Sequence, residues 1–496
     1  MKILYFHSTI WSGFFASLLG AYAGQRGART AIVCPRRFRQ PYAANFAAGA
    51  EHVDAPDTDA PQDWERDPGE VARVAALVAE CERASGRALG RFLLACERDI
   101  GAGYSLGAFY WPALEPRASC LADTALPGRI ALRVFRFVEQ LFERFQPDLV
   151  LARAFNAPLE FVARMLAVRA GVPMLCCQFS KAIGKRAFWT DDYLMYNTPG
   201  RELFAQYTAQ GRPASDFAAG FLDEFRTRPR TVDYIAANWA RTSDWATEHR
   251  KFLALAKAGV LHRLGGGQGK APMAVLPKVC EYYRVLLAQR WHAGRFATFG
   301  EDALAAMPYV YYPLHKEPEL MLNYKAPLWH DQLHAIRFLS SMLPSGLRLL
   351  VREHRFNWGR RTGAFLDALA AIPNVTLVHP LDPQFKYIRH AELVVTDNGS
   401  TGWEGLLLGR RVLALEPCFY DVLPGLHRAP DPRELDRVIL DALAAPAVRD
   451  ADGHDQALGR FLDAERATTL DIEAMHGDVT PTMARIDELL SLRRAS

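Results

Sequence analysis

Short apolar runs alternate with stretches of helical periodicity along most of this chain, and that rhythm runs through it twice. In the first half the runs are KILYFHS (2–8), TAIVCP (30–35), DLVLARA (148–154), VPMLCCQ (172–178) and YLMYN (193–197). Helical patterns separate them, including long amphipathic stretches near 68–98 and 128–145. In the second half the runs are YVYYPLH (309–315), LRLLVREH (347–354), VTLVH (375–379), LVVT (393–396) and RVLALEP (411–417), with helical patterns at 330–343, 361–371, 383–390 and 401–408. A strand covered on both faces reads as a continuous apolar run, and a helix between two such strands returns the chain so that they lie parallel. The pattern predicts an α/β protein with two doubly wound, Rossmann-like domains facing a central cleft. At 496 residues the chain exceeds what one core ordinarily organises.

The expected division is an N-terminal domain over 1–205, a mostly helical linker region over 206–304, a C-terminal domain over 305–450, and a helical segment over 451–496 that returns to the first domain. The linker holds RLGGGQGKAP (263–272), which is not a phosphate loop: Ala271 stands where the hydroxyl belongs and no strand leads into it. A net charge of +4 without a long basic run gives no nucleic-acid groove. Eight cysteines without a CxxC pair point to buried reduced thiols of a cytoplasmic protein, and the histidines show no metal-ligand spacing, so no metal is expected. MKILYFHSTIWSGFF reads as a first strand, not a signal peptide, and no run reaches the ~18 apolar residues of a membrane span.

Ligands of open α/β sheets bind beyond the carboxyl ends of the strands, so those ends carry the candidate residues. LVVT runs into Asp397-Asn398-Gly399-Ser400-Thr401, and a short helix over Gly402 to Leu408 follows, closed by Gly409. Ser400 or Thr401 is the expected N-cap. Free N–H groups and the positive helix end would then receive a phosphate, with Glu404 one turn in to accept from a ribose hydroxyl. The same residues would also serve a plain capped helix. LRLLVREH ends in Arg352, Glu353, His354 and Arg355, and alternation sets Arg352 and His354 on one side with Glu353 opposite. PLHKEPE brings His315, Lys316, Glu317 and Glu319 within about one turn, and VTLVH ends in His379. Three histidines at successive strand ends, with Arg, Lys and two carboxylates, predict chemistry on a phosphate-linked substrate. On the N-terminal side, His7 and Ser12 follow the first run, and Arg153 and Asn156 follow another, where they would contact acceptor hydroxyls or simply cap helices. The basic RRFRQPY (36–42) and the aromatics near 188–207 read first as solvated loops, and are otherwise the segments that would approach a membrane.

YVYYPLHKEPE, HDQLHAIRFLSSMLPSGLRLLVREH, IPNVTLVHP and HAELVVTDNGSTGWEGLLLGRRVLAL, in that order and spacing, resemble the capsule polysaccharide biosynthesis family, bacterial glycosyltransferases of the GT-B fold that include Kdo transferases. The resemblance covers about residues 305–420. It implies a nucleotide-sugar donor, CMP-Kdo foremost, held without a metal by the C-terminal domain, and a glycan or lipid-linked glycan acceptor at the N-terminal one. The expected location is then the cytoplasm, with peripheral contact to the inner membrane. Ser400 and Thr401 match the family's hydroxyl turn and His354 its histidine, while Arg355 stands where the family has proline. Glu319 falls at the family's acidic position, with Glu317 as rival. As the sugar–phosphate bond breaks, His354 as imidazolium, the helix start, and Arg352 or Arg355 would stabilise the departing phosphate. Arg352, Lys316 or Arg360 would clasp a donor carboxylate. Two alternatives stay open: a UDP-sugar transferase or epimerase of the same fold, and a non-catalytic glycan- or nucleotide-binding module.

Overall fold

The computed structural model describes residues 1–7, 11–35, 49–56, 58, 61–96, 100, 125–155, 157–231, 249–250, 253, 257, 275–317, 319–446 and 453–495. Asn156, the glycine-rich segment at 263–272 and the basic stretch at 36–42 lie outside the described residues.

Two sheets organise the chain. The first holds β1 (Lys2–Phe6), β2 (Arg29–Pro35), β3 (Glu51–Ala55), β4 (Leu149–Ala152), β5 (Met174–Phe179) and β6 (Arg186–Thr190). The second holds β7 (Tyr309–Pro313), β8 (Arg348–Arg352), β9 (Val375–Val378), β10 (Leu393–Thr396), β11 (Val412–Ala414) and β12 (Leu426–Arg428). A last strand, β13 (Leu470–Asp471), returns to the first sheet. The strand orders are β13-β6-β5-β4-β1-β2-β3 and β12-β11-β10-β7-β8-β9. Every pairing in the second sheet is parallel, with Tyr311 opposite Leu350 and Val395 opposite Leu413. The first is parallel from β3 to β5, but β6 runs antiparallel to β5, with Cys176 opposite Thr190, and β13 antiparallel to β6. These are two Rossmann-like domains in the GT-B arrangement.

Alternation along each strand feeds a core on either face. Ile3 and Tyr5 join the cluster under the helix Ser12–Arg26, and Leu4 and Phe6 join the one under Leu126–Phe145. Tyr309 and Tyr311 face one core of the second domain, and Val310 and Tyr312 the other. Each fully buried side chain of this size contributes ~1.5–3 kcal/mol. Cys34, Cys81, Cys96, Cys176, Cys177 and Cys418 are buried thiols outside any disulfide. Among the described residues no helix is long and apolar enough to cross a membrane.

Two strand expectations require correction. Residues 193–197 are not a strand: Met195 takes a left-handed φ of 58°, Asp192 accepts the Tyr196 N–H at 2.9 Å, and Asn197 caps the helix Thr198–Ala209. The strand lies just upstream, at β6. An unforeseen strand, β3, forms an edge with only Ala55 buried, so EHVDA lacks the apolar run that marks a central strand.

After the second sheet the chain crosses back. The helix His454–Thr468 lies against Thr198–Ala209, with Phe461 edge-on to Phe204 at 5.8 Å, and β13 extends the first sheet.

Candidate active site

The second sheet changes winding direction between β7 and β10: the order continues to β8 and β9 on one side and to β11 and β12 on the other. Ligands of doubly wound sheets sit at that switch, where adjacent loops leave in opposite directions and open a crevice. A cavity open to solvent lies there, lined by His315 and Glu319 after β7, His354 and Arg355 after β8, and Asn398 to Thr401 after β10. Lys181, from the loop after β5, closes it from the first domain.

After β10 the helix is Ser400–Leu407, and its N-cap is Gly399, not Ser400 or Thr401 as expected. Thr396 Oγ1 accepts the Gly399 N–H at 3.1 Å, so the turn is satisfied by a residue upstream, and no side chain caps the helix. Ser400 and Thr401 are thereby left on the cavity wall. The helix seats closely because Gly402 has no side chain: a Cβ there would lie 2.1 Å from the Tyr420 hydroxyl, which itself donates to Gly399 O at 2.8 Å. Gly409, at φ 71°, supplies the left-handed residue past the other end.

After β7 the loop is clamped by its backbone. Gln332 Oε1 accepts the His315 N–H at 2.5 Å, and its Nε2 donates to His315 O at 3.1 Å. Asn357 and Arg361 donate to the same carbonyl at 3.2 and 3.3 Å. The His315 ring therefore sits between two carboxylates, Nδ1 3.7 Å from Glu319 and Nε2 3.5 Å from Asp397. Asp397 is fully buried and also accepts from Tyr312 Oη at 2.8 Å. Burial opposes charge on His315, but Glu319 and Asp397 outweigh it and raise its pKa. Burial likewise works against ionisation of Glu319, yet its contact with His315 and the charge of that ring, followed by smaller contributions from His354 and Lys181, bring its pKa down to about 2. Glu319 is an ionised carboxylate open to the cavity.

His354 behaves otherwise than expected. Burial lowers its pKa to about 4, and the opposing charge of Glu319 does not restore it, so near pH 7 the ring is neutral and not an imidazolium. Its Nδ1 accepts the Phe356 N–H at 3.3 Å, which leaves the proton on Nε2 and makes the ring a neutral donor.

Of the two rival carboxylates, Glu319 is 34% exposed and Glu317 only 1%. Glu317 is bound to the buried Arg361, which also donates to Glu353 at 2.9 Å. Its expected catalytic role does not fit a carboxylate enclosed in a structural ion cluster. Glu353 points away from Arg352 and His354, as alternation requires. Of the residues expected to clasp a donor carboxylate, Arg352 reaches the main cavity. Its Nη2 donates to Pro380 O and Asp382 O at 2.7 and 3.0 Å, and the Lys316 ammonium lies over the Phe356 ring at 5.3 Å. His379 accepts the Leu381 N–H and packs against Trp358 at 5.1 Å, outside the cavity. Glu404 faces a smaller neighbouring cavity that shares Ser400 and Thr231 with the main one. It accepts from Gln384 Nε2 at 3.0 Å, and burial pushes its pKa up to about 8. It would meet a ribose as a neutral acid.

On the first domain, His7 and Ser12 are buried beyond β1 and line neither cavity, while Arg153 lies in a separate cavity. Lys181 and Asp397 were not singled out from the sequence, nor was Gln332. Asp397 stands inside the turn at 397–401, and Lys181 lies just past the end of β5, so strand-end position alone marks both. Among the described residues no cluster of three or more His, Cys, Asp or Glu is arranged to hold a metal ion.

No protein-family model matches the chain, and no curated protein matches it. Among solved structures it is similar to a UDP-GlcNAc 2-epimerase from Neisseria meningitidis bound to UDP-GlcNAc (11% identity, 98% of this chain and 100% of that one, TM-score 0.28). It is also similar to a glycosyltransferase from Rickettsia africae (9%, 100% and 98%, 0.30) and to the calicheamicin glycosyltransferase CalG4 (14%, 97% and 99%, 0.26). What defines the fold here is strand order and register.

Proposed function

We propose that this protein is a GT-B glycosyltransferase of bacterial surface polysaccharide synthesis, which transfers a sugar from a nucleotide donor, CMP-Kdo or a related ulosonic acid foremost, to a glycan acceptor. The observation that carries the reading is the pairing, across one switch-point cavity, of an uncapped helix start at Ser400 and Thr401 with the ionised Glu319. The first suits a departing phosphate and the second the carbon it leaves.

In transfer, the bond between the anomeric carbon and the phosphate oxygen breaks and its electron pair stays on the phosphate. The N–H groups of the helix start and the His354 Nε2–H meet that charge as neutral, fixed dipoles that need no reorganisation. Positive charge develops on the sugar. A carboxylate with a pKa of about 2 is a poor base at pH 7, so Glu319 faces the anomeric carbon and either attacks it or stabilises its charge. His315, held between Asp397 and Glu319, keeps that carboxylate oriented. The acceptor oxygen then bonds to the anomeric carbon, displacing the Glu319 carboxylate where that has attacked, and its proton passes to the released phosphate or to solvent. The resemblance over residues 305–420 supports the polysaccharide assignment and the CMP donor.

The test is product analysis with CMP-activated and UDP-activated sugars, reading the released nucleotide and the fate of the sugar. Release of CMP with transfer supports the proposal. Release of UDP keeps the transferase and moves the donor, and an isomerised sugar still attached to UDP would identify an epimerase.

A further inference from the structure

A second cavity opens between the domains on the first-domain side and shares Lys181 with the switch-point cavity. Its wall carries four cations, Arg153, Lys181, Arg201 and Lys325, against a single carboxylate, Glu465. That carboxylate is occupied, accepting from Ser180 Oγ at 2.7 Å and Asn197 Nδ2 at 2.8 Å. Arg201 is neutralised by Asp421 at 2.6 Å. Arg153 donates to Cys177 O, and its guanidinium lies between the Trp11 and Phe179 rings, 4.7 and 4.4 Å from their centres.

The two lysines are different. Lys325 is 4% exposed and rests 4.1 Å above the Tyr196 ring, and among the described residues neither lysine has a carboxylate within ion-pair distance. The opposite charges nearest in effect, Asp192 for Lys325 and Glu319 for Lys181, make no ion pair with them, and a buried lysine without a paired carboxylate is costly, so its retention needs a reason. Here the reason is the cavity both lysines line. The wall also carries the aromatic rings of Phe188, Tyr196 and Phe419, a surface suited to the C–H face of a sugar ring.

We propose that this second cavity binds an acidic sugar, with Lys325 and Lys181 receiving its carboxylate and the aromatic wall receiving its ring. The assignment of the ligand as a sugar rests on the transferase reading above; the assignment of its charge rests on the lysines. The carboxylate has two sources, the donor's own sugar or an acidic residue of the acceptor. Glu319 and its neighbour Leu320 separate the two cavities, Glu319 lining one and Leu320 the other, so either sugar would reach the anomeric centre from here. Burial and the adjacent Lys181 hold the Lys325 pKa well below its ordinary value, so a carboxylate bound here would draw a proton onto the amine as it enters.

Calorimetry on the full chain tests this with N-acetylneuraminate, its methyl ester, glucuronate, glucose and glucose 6-phosphate, each with and without saturating CMP. The acids are expected to bind at least tenfold tighter than the ester and glucose, and Lys325→Met to abolish that preference, with Lys325→Arg restoring part of it. Lys325→Met is expected to raise Tm, whereas a lysine with a purely structural role would lower it. A donor source predicts that Lys325→Met weakens CMP-N-acetylneuraminate and not CMP. An acceptor source predicts that it weakens the free acid in saturating CMP and leaves CMP-N-acetylneuraminate unchanged. Equal binding of acid and ester, an acid preference that survives Lys325→Met, or a tenfold preference for the sugar phosphate would overturn the proposal while nucleotide binding stands. Loss of all nucleotide binding in the wild type would instead count against the transferase reading.

Discussion

Replacing His354 distinguishes a neutral donor from an imidazolium. With a pKa of about 4, about 1% of the ring is protonated at pH 6, against about three-quarters for an unperturbed histidine near 6.5. The perturbations are His354→Gln, which keeps an N–H donor, and His354→Phe, which keeps the ring shape and loses it. A hydrogen bond to a charged phosphate contributes ~1.5–3 kcal/mol, so His354→Phe is expected to weaken nucleotide binding by roughly 10- to 150-fold and His354→Gln by less. The assay is calorimetric titration of CMP and UMP from pH 5.5 to 8, read as the ratio of wild-type to variant affinity, so that ionisation of the ligand phosphate cancels. A neutral ring predicts a flat ratio. NMR titration of the imidazole in the unliganded protein gives the midpoint directly. A ratio that climbs as pH falls through 6.5, or a midpoint at or above 6.5, would refute the reasoning and return His354 to the role of a cation.

The two carboxylates of PLHKEPE should separate by phenotype. Glu319→Gln is expected to cut turnover by ~10³-fold or more with nucleotide affinity retained, read by steady-state kinetics beside calorimetry. Arg361→Met leaves Glu317 and Glu353 buried together without their counter-charge and should cost ~3–5 kcal/mol, a Tm loss of ~6–20 °C on the scale of domains this size. Glu404 keeps its proton to about pH 8 in the fold and to about 4.5 when unfolded, so between those values the folded state holds more protons and stability falls as pH rises. In Glu404→Gln that part of the slope should vanish from the pH dependence of urea unfolding. Gly402→Ala forces a methyl against the Tyr420 hydroxyl and is expected to lower stability by ~1–3 kcal/mol and to weaken nucleotide binding by displacing the helix start.

Why some of this was legible in the sequence follows from which forces leave a local trace. Strands buried on both faces, such as YVYYP and LVVT, must be apolar throughout, so their positions and the doubly wound architecture are written in the runs. The turn at 397–401 and Gly409 were readable because backbone geometry demands small residues. An edge strand such as β3 escapes, since half of its surface faces water and its sequence is free. Protonation states escape as well. The same strand-end position gives a histidine whose pKa is raised at 315 and one whose pKa falls to about 4 at 354, because only the first lies between two carboxylates, one of them 82 residues away in the chain. Lys325 and Lys181 come together only once the two domains face each other. The N-cap falls at Gly399 and not at Ser400 or Thr401 because Thr396, inside the strand, reaches forward to satisfy the turn.

The measurement that bears most directly on the central claim is a calorimetric panel of CMP, CDP, UDP, GDP and ADP against the wild type and Ser400→Ala. A nucleotide whose phosphate meets the uncapped helix start should bind selectively, with CMP the tightest, and should lose ~10-fold or more in Ser400→Ala. Absence of binding by every nucleotide, or binding that Ser400→Ala leaves unchanged, would contradict the account of the switch-point cavity as a donor phosphate site.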